Sequence, residues 1–210
     1  MMSAPGYQGT VEVGELSAAE VPEAIGVLAR GMRDNPLHVA AFGVDPERRR
    51  RRLERFFRAF FKVMKAQTPL AAHDGRMIVG VTGIAPPGSC QPAILDELRL
   101  LPTVLAMGPA TSARMMRWVG AWAAHDPREP HSHLGPLAVD AHLQGRGIGT
   151  RILAEYCARL DRAGEMAYLE TDKPINVRIY ERHGFRVIAE ERVIGVPNWF
   201  MRRDPGGGGG

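Results

Sequence analysis

A short glycine-rich loop holds the residues of this chain that are best suited to chemistry. Gly145, Gly147 and Gly149 follow an apolar run typical of a strand, and the residues after them recur at helical spacing. The N–H groups of the first helical turn have no partner within the helix, and the helix dipole there favours negative charge. Residues 144–150 are therefore expected to cradle a diphosphate, with Arg146 adding positive charge.

The spacing of this loop differs from that of two common nucleotide-binding loops. A P-loop needs a Lys-Ser or Lys-Thr pair after its last glycine, and no such pair follows here. A dinucleotide-binding loop needs a third glycine where Thr150 stands. Another class of phosphate-bearing ligand is therefore indicated. The alternative is a plain strand–helix turn, although such a turn rarely needs three glycines.

A second segment places an asparagine and a tyrosine on one helix. Residues 168–172 are expected to form a strand, and residues 174–185 a helix that ends in Gly-Phe. Asn176 lies four positions before Tyr180, so the two side chains share a helix face. The structural alternative is an interior tyrosine that packs on the preceding strand.

Together the two segments resemble the signatures of the GNAT superfamily of acyl-CoA-dependent N-acyltransferases. The first signature is Gln/Arg-x-x-Gly-x-Gly after a Leu-x-Val strand, matched by Gln144, Gly147 and Gly149. The second is the helix over residues 174–185, and the two cover about residues 137–190 in the family's order. Within the superfamily, the run from this tyrosine to Gly-Phe and a late tryptophan are most similar to the puromycin N-acetyltransferase-like branch.

The resemblance implies an acetyl-CoA-dependent N-acetyltransferase and assigns roles to several residues. Tyr180 matches the family tyrosine that reaches the CoA sulfur, and a phenol with a pKa near ~10 can protonate the departing thiolate. A main-chain N–H near residues 137–139 would polarise the thioester carbonyl, and Asn176 would bond the pantetheine arm or the surroundings of the tyrosine. The residues expected to bind acetyl-CoA are Leu137, Ala138, Val139, Gln144, Gly145, Arg146, Gly147, Ile148, Gly149, Thr150, Asn176 and Tyr180.

Three side chains compete for the role of the base that makes the amine neutral. Glu170 stands at the end of the fifth strand, where the resemblance places the arriving amine, and it is our first choice. His131 and His133 are alternatives because they share one face of a strand and titrate in the right pH range. Relay of the proton through ordered water, with no single base, is the remaining option.

The pattern of elements predicts an α/β fold, a three-layer mixed central sheet with helices on both faces and a helical insertion before the fourth strand. A strand over residues 10–16 and a helix over 18–32 come first, followed by a turn at 34–37. The later elements are helix 46–66, a hairpin of strands 69–73 and 76–84 joined at Asp74-Gly75, loop 85–91, helices 92–105 and 109–124, strand 131–140, and helix–strand–helix–strand order to residue 203.

One dipeptide conflicts with a central strand. Gly135-Pro136 lies inside strand 131–140, and proline cannot donate to a β-ladder, although bulges tolerate it. The resemblance supplies a reason, since GNAT folds have a bulge and a splay between the fourth and fifth strands. The acyl-thioester enters that gap.

Length and composition bound the other possibilities. The 210 residues suit one domain over residues 10–204, between a disordered segment at 1–9 and a glycine tail at 205–210. Cys90 and Cys157 lack the spacing of a disulfide framework or a zinc site, so no metal is expected. No apolar run approaches the ~20 residues of a membrane span, and residues 1–9 lack a signal-peptide pattern. A cytoplasmic protein without a membrane partner is therefore expected.

A run of five arginines at residues 48–52 raises the question of nucleic-acid binding. The net charge of +4 would permit weak contact of that kind and equally suits an anionic cofactor. The run opens an amphipathic helix with Asp45 as its N-cap, and no aromatic residues interleave the arginines. We therefore expect a solvated or substrate-flanking helix face rather than a nucleic-acid interface.

The helical insertion over residues 85–130 is where acceptor specificity is expected. Its methionines and tryptophans, among them Met107, Met115 and Trp118, fit either an adaptable surface for a bulky ligand or ordinary core packing. The expected acceptor is a small amine of the aminonucleoside type, bound by a monomer or a homodimer. The alternatives are a protein lysine or N-terminus as acceptor, and a non-catalytic CoA-binding regulatory module.

Overall fold

The protein folds around a seven-stranded sheet, with seven α-helices among the described residues. The computed structural model describes residues 11–63, 67–91 and 93–206. The strands are β1 (Val11–Glu15), β2 (Leu70–Asp74), β3 (Met77–Ala85), β4 (Ser132–Val139), β5 (Ala167–Thr171), β6 (Arg186–Val193) and β7 (Val196–Arg203). The helices are α1 (Val21–Gly31), α2 (Pro36–Phe42), α3 (Pro46–Val63), α4 (Ile94–Leu105), α5 (Pro109–His125), α6 (Ile148–Ala163) and α7 (Pro174–Glu181).

The sheet mixes parallel and antiparallel neighbours, in the order β1-β2-β3-β4-β5-β7-β6. β4 and β5 run parallel, whereas the other neighbouring pairs run antiparallel. A parallel pair needs a long crossover connection, and α6 supplies it between β4 and β5. The mixed sheet predicted from the sequence is confirmed.

Helices cover both faces of the sheet, because neighbouring residues of a strand point in opposite directions. Ile78 of β3 packs with Leu28 of α1 in one apolar cluster. The next residue, Val79, packs with Ile152 of α6 in another cluster. α1 and α6 therefore form the outer layers on opposite sides of the sheet, as the three-layer prediction requires.

Local capping and turn signals predicted several boundaries correctly. Asp45 accepts a hydrogen bond from the N–H of Arg48 at 2.7 Å and so caps the start of α3. Gly164 ends α6 in the left-handed conformation, with a φ of 64°. The β2–β3 hairpin forms where it was predicted, with Asp74 as the last residue of β2 and Gly75 and Arg76 in the turn. The insertion before β4 is helical.

Two elements differ from the sequence prediction. The turn expected at residues 34–37 leads directly into α2, whose Leu37 N–H donates to Asp172 Oδ2 at 2.7 Å. The Asn-Pro dipeptide alone predicts a turn. The carboxylate that caps the helix belongs to Asp172, which lies 135 positions away in the sequence, so the local residues do not predict it. The single strand expected at the end of the chain is a hairpin of β6 and β7 that turns at Ile194 and Gly195, both with positive φ. The local sequence there lacks polar turn residues.

The arginine run braces the interior, so the expectation of a solvated helix face is wrong for two of its members. Arg49 is 4% exposed and donates to the backbone carbonyls of Arg33 and Gly43. Arg52 donates to the carbonyl of Met107 at 2.8 Å. A guanidinium offers five donors, which suits it to the unpaired carbonyls at helix ends. Both guanidinium groups are thus held by hydrogen bonds within the fold.

The insertion helices α4 and α5 pack on the body of the domain. Met107 and Met115 are each 3% exposed and lie in the same apolar cluster as the buried face of α1. Trp118 packs against that cluster. For these three residues the structure favours core packing over an open ligand surface.

None of the helices in the described ranges combines the length and the apolar character needed to cross a bilayer. The disordered segment expected at residues 1–9 lies outside the described residues, as do residues 64–66 of the expected helix and 207–210 of the expected glycine tail. Cys90 and Cys157 are free thiols.

Candidate active site

β4 and β5 separate soon after they meet, which opens the sheet near its centre. Their register ends at the pair His133 and Tyr168, whereas β4 continues to Val139 with no further partner on that edge among the described strands. On its other edge β4 shifts register against β3 beside Gly135-Pro136. The bulge and the splay expected from the sequence are therefore both present.

The glycine loop follows the end of β4 and opens α6. Gly145 and Gly147 have φ values of 77° and 82°, in the left-handed region that favours glycine. Gly147 is the N-cap of α6, and no side chain in the described part of the chain caps this helix end. Residues 144–147 are exposed, and the N–H groups of residues 148–150 precede the first helical hydrogen bond, from Arg151 to the Gly147 carbonyl, so they have no intrahelical partner. This is the geometry of an anion cradle.

Side chains from α1 and from the end of β4 hold the loop in place. Gln144 Nε2 donates to the carbonyl oxygens of Gly31 at 2.8 Å and Val139 at 3.1 Å. Arg30 Nη2 donates to Asp140 Oδ2 at 2.6 Å. Burial alone would raise the pKa of Asp140, but the Arg30 bonds outweigh burial, so the pKa lies below its usual range. The Gln144 side chain thus shapes the loop rather than pointing freely at a ligand.

Tyr180 packs against both of the splayed strands. It shares an apolar cluster with Leu134 of β4 and Leu169 of β5, and its ring meets Phe185 at a centroid distance of 5.9 Å. Burial raises the pKa of the phenol, and two nearby carboxylates raise it further. The phenol is therefore protonated at neutral pH.

Asn176 lies one turn earlier on α7, on the helix face of Tyr180 that the sequence predicted. Its Nδ2 donates to Thr171 Oγ1 at 3.3 Å, at the end of β5. The bond ties the start of α7 to the strand and so helps to fix the helix that carries the tyrosine.

Two of the three candidate bases form a hydrogen-bonded pair. His133 Nε2 lies 2.8 Å from Glu170 Oε2, and the Glu170 side chain is 3% exposed. A carboxylate only accepts hydrogen bonds, so this imidazole nitrogen carries the proton. Burial alone would lower the pKa of His133, but the charge and hydrogen bond of Glu170 together with the interactions of Cys90 outweigh burial, and the pKa is raised to about 10. His131 instead bonds Asp126 and the carbonyl of Glu129.

Cys90 lies beside His131 and His133, a contact that was not predicted from the sequence. One thiol or imidazole ligand atom from each of Cys90, His131 and His133 lies within 4.8 Å of the other two. Burial alone would raise the pKa of the Cys90 thiol, but the two histidines outweigh burial and the pKa is lowered. The His-x-His spacing did predict two rings on one strand face. The Cys90 thiol lies in a loop 41 positions before His131, so no local sequence pattern predicts that the two residues are neighbours.

Comparisons with known proteins agree with this geometry. The family model described as Acetyltransferase (GNAT) family matches residues 52–185. A solved structure described as histone acetyltransferase HPA2 and related acetyltransferase from Corynebacterium glutamicum is 21% identical, with a TM-score of 0.72 over 93% of this chain and 96% of that chain. The polyamine N-acetyltransferase of Drosophila melanogaster is 15% identical, with a TM-score of 0.63 over 93% of this chain and 100% of that chain.

A third solved structure is a GNAT family acetyltransferase from Brucella melitensis in complex with acetyl-CoA. It is 16% identical, with a TM-score of 0.54 over 94% of this chain and 89% of that chain. At these identities the solved structures show a shared fold. The family model spans more than half of the chain, including the glycine loop and the helix of Tyr180. The chain therefore belongs to the GNAT family of acetyltransferases and is an acyltransferase enzyme.

Proposed function

We propose that this enzyme transfers an acetyl group from acetyl-CoA to a primary amine by direct attack in a ternary complex. One observation carries the proposal. An exposed glycine loop opens α6 beside a gap between β4 and β5, and a buried tyrosine packs against both of those strands. Acetyl-CoA supplies an activated thioester, so the chain has to bind it, stabilise charge on its carbonyl oxygen and move two protons.

The glycine loop fits the diphosphate of acetyl-CoA. A Cβ at Gly145 or Gly147 would meet no protein atom within 4 Å, so the space in front of these glycines is open to a ligand. The backbone N–H groups of residues 145–150 are the proposed donors, and the helix dipole favours the anion at this end. Arg146 is exposed and adds positive charge without blocking the backbone.

The open edge of β4 is the proposed source of donors for the thioester carbonyl. Leu137, Ala138 and Val139 pair with β3 on one edge, and successive N–H groups of a strand point to alternate edges. At least one N–H of this stretch therefore faces the gap. A donor held ready at a developing oxyanion contributes roughly 3–4 kcal/mol to catalysis.

Tyr180 is the proposed general acid, which holds at its phenol oxygen the proton for the departing sulfur. Its pKa is raised by burial, so the phenol donates rather than accepts at neutral pH. The same apolar surroundings also disfavour a thiolate, which makes the sulfur a stronger proton acceptor there than in water.

Glu170 is the proposed acceptor of the amine proton. His133 orients its carboxylate through the 2.8 Å hydrogen bond, at the end of β5 where the gap opens. Because the side chain is 3% exposed, the proton reaches it through an ordered water. Glu170→Gln keeps the shape of the side chain and removes the acceptor, so kcat is expected to fall about 100-fold in steady-state assays. An unchanged kcat would exclude Glu170 as the base.

The proposed acceptor is a small primary amine of the aminonucleoside type. Two observations support this class. The helix from Tyr180 to Gly-Phe resembles the puromycin N-acetyltransferase-like branch, and the fold neighbour from Drosophila melanogaster is a polyamine N-acetyltransferase. A protein lysine or N-terminus is the alternative acceptor, and a CoA-binding module without catalysis is the alternative function.

A thiol-release assay with acetyl-CoA and a panel of amines separates these possibilities. The panel contains aminonucleosides, polyamines, free amino acids and lysine peptides. Release that depends on a small amine supports the proposal, whereas release with lysine peptides alone assigns a protein acceptor. Tight acetyl-CoA binding without release for any acceptor contradicts the proposed enzyme activity and favours the binding module.

A further inference from the structure

We propose that Cys90, His131 and His133 bind a transition-metal dication, with Zn²⁺ the best fit, and that Asp126 completes the site. This site goes beyond acetyl transfer and does not depend on it. The ligand atoms of the first three residues all lie within 4.8 Å of one another. Bonds of about 2.0–2.3 Å to a tetrahedral Zn²⁺ separate its ligands by roughly 3.3–3.8 Å, so only a small closure of the cluster is needed.

Each histidine presents one ring nitrogen to the cluster, while its other nitrogen donates to an outer acceptor. His131 Nδ1 donates to the backbone carbonyl of Glu129 at 2.8 Å, and its Nε2 lies 3.2 Å from Asp126 Oδ1, so a bound metal would replace the Nε2 proton. His133 Nε2 donates to Glu170 at 2.8 Å, which leaves Nδ1 facing inward. Metal-bound histidines show this arrangement, in which an outer carbonyl or carboxylate fixes the tautomer and the ring orientation.

Asp126 faces the same point from the end of α5. Its Oδ1 lies 3.2 Å from His131 Nε2 and 3.8 Å from His133 Nδ1. Its other oxygen, Oδ2, accepts a hydrogen bond from Gln91 Nε2 at 2.9 Å, which holds the carboxylate in this orientation. The Cys90 sulfur and one nitrogen of each histidine thus lie together, and the Asp126 oxygen approaches both histidine nitrogens as the proposed fourth ligand. Such a donor set suits four-coordinate zinc.

Metal binding would exchange protons of the cluster for the ion. The carboxylates of Asp126 and Glu170 lie against the two imidazoles, and Cys90 adds an ionisable thiol. A dication between the ligands would balance a Cys90 thiolate and the Asp126 carboxylate, with the thiol proton and the protons on the ligating imidazole nitrogens released to solvent. Thiolate and imidazole ligands select zinc over the hard cations Mg²⁺ and Ca²⁺.

The position of the site indicates what the ion would do. Cys90 lies in the loop before α4, and Asp126 directly follows α5, so the two residues mark both ends of the helical insertion. His131 directly precedes β4, and His133 is the second residue of that strand. A bound ion would clamp both ends of the insertion to the central sheet, next to the gap between β4 and β5.

Metal content of the full-length protein without an affinity tag tests the proposal. After loading with Zn²⁺ and exhaustive dialysis, elemental analysis should find one zinc per chain. Cys90→Ser and His131→Gln should each lose at least about nine-tenths of it, as the loss of one of four ligands predicts. Cys157→Ser is the matched thiol control, because that buried cysteine lies in a different cluster, and it should keep the metal.

Cobalt loading of the wild-type protein tests the thiolate ligand without any substitution. Co²⁺ at the site should give a thiolate-to-metal charge-transfer band in the near ultraviolet, absent in Cys90→Ser and retained in Cys157→Ser. A wild-type protein that holds no zinc above the dialysis buffer overturns the proposal, as does a Co²⁺ complex without that band. Neither readout involves acetyl-CoA or an amine, so these results leave the proposed acetyl transfer untouched.

Discussion

Replacement of Gly147 by alanine tests whether the glycine loop binds acetyl-CoA through its backbone. Gly147 begins α6 with φ 82° and ψ 0°, and Gly164 ends the same helix with φ 64° and ψ 32°. A Cβ at either position would meet no other atom within 4 Å, so alanine at either site introduces backbone strain and no steric overlap. The two substitutions therefore form a matched pair that differs in which end of α6 is strained.

The size of the effect follows from the left-handed backbone. An alanine in this conformation costs about 1–2 kcal/mol relative to glycine, and Gly164→Ala, whose backbone is fixed by the fold, should lose about that much stability. For a chain of this length the loss lowers Tm by roughly 2–8 °C. In Gly147→Ala the free loop can relieve its strain by turning away, and binding of acetyl-CoA must then restore it. The Kd for acetyl-CoA should therefore rise about 5- to 30-fold.

Isothermal titration calorimetry with acetyl-CoA gives the Kd, and thermal unfolding of the same samples gives Tm. Gly164→Ala should lower Tm and leave the Kd at its wild-type value, because its strain lies at the far end of α6. A wild-type Kd in Gly147→Ala together with a wild-type Tm would refute a backbone cradle at this loop. An equal rise in Kd for both variants would show a general effect of destabilising the helix.

Two further predictions concern the elements that hold the loop. Gly31→Ala places a Cβ 2.3 Å from the Val139 carbonyl oxygen and should lower the free energy of unfolding by about 1–3 kcal/mol in chemical denaturation. Gly120→Ala has open space around its Cβ and should raise that free energy by about 0.5–1 kcal/mol. Equal stabilities of the two variants would contradict this prediction. Because the Arg30 ion pair lowers the pKa of Asp140 in the folded state, its stabilisation exists above the unfolded pKa of about 3.9 and is lost as pH falls through the lower folded value. Wild type should thus exceed Asp140→Asn by about 1 kcal/mol near pH 6 and match it near pH 2, as paired denaturation curves will show.

Local chemistry explains which parts of the fold could be predicted from the sequence. The Asp45 cap, the Asp74-Gly75 turn and the left-handed Gly164 each depend on neighbours within a few positions. The glycine loop and the face shared by Asn176 and Tyr180 are local in the same way. Such features are recorded in residue type and spacing, so the sequence is sufficient to predict them.

The features that could not be predicted depend on residues far apart in the chain. The start of α2 is capped by Asp172, which belongs to the end of β5 and lies 135 positions later. The sequence alone predicts a solvated Arg49, but the fold places the backbone carbonyls of Arg33 and Gly43 beside its guanidinium. Cys90 and His131 approach each other only because the insertion returns its two ends to β4. No periodic pattern of residue types in the sequence indicates these long-range contacts.

The turnover of Tyr180→Phe, measured beside its affinity for acetyl-CoA, tests the central claim most directly. The substitution removes one phenol oxygen from the gap, so kcat should fall about 100-fold while the Kd for acetyl-CoA stays at the wild-type value. Tyr156→Phe is the matched control. Its hydroxyl bonds Ser132 Oγ at 3.0 Å in the core of the domain, so stability should fall and kcat should not. An unchanged kcat in Tyr180→Phe, with acetyl-CoA still bound, would contradict the proposed acid.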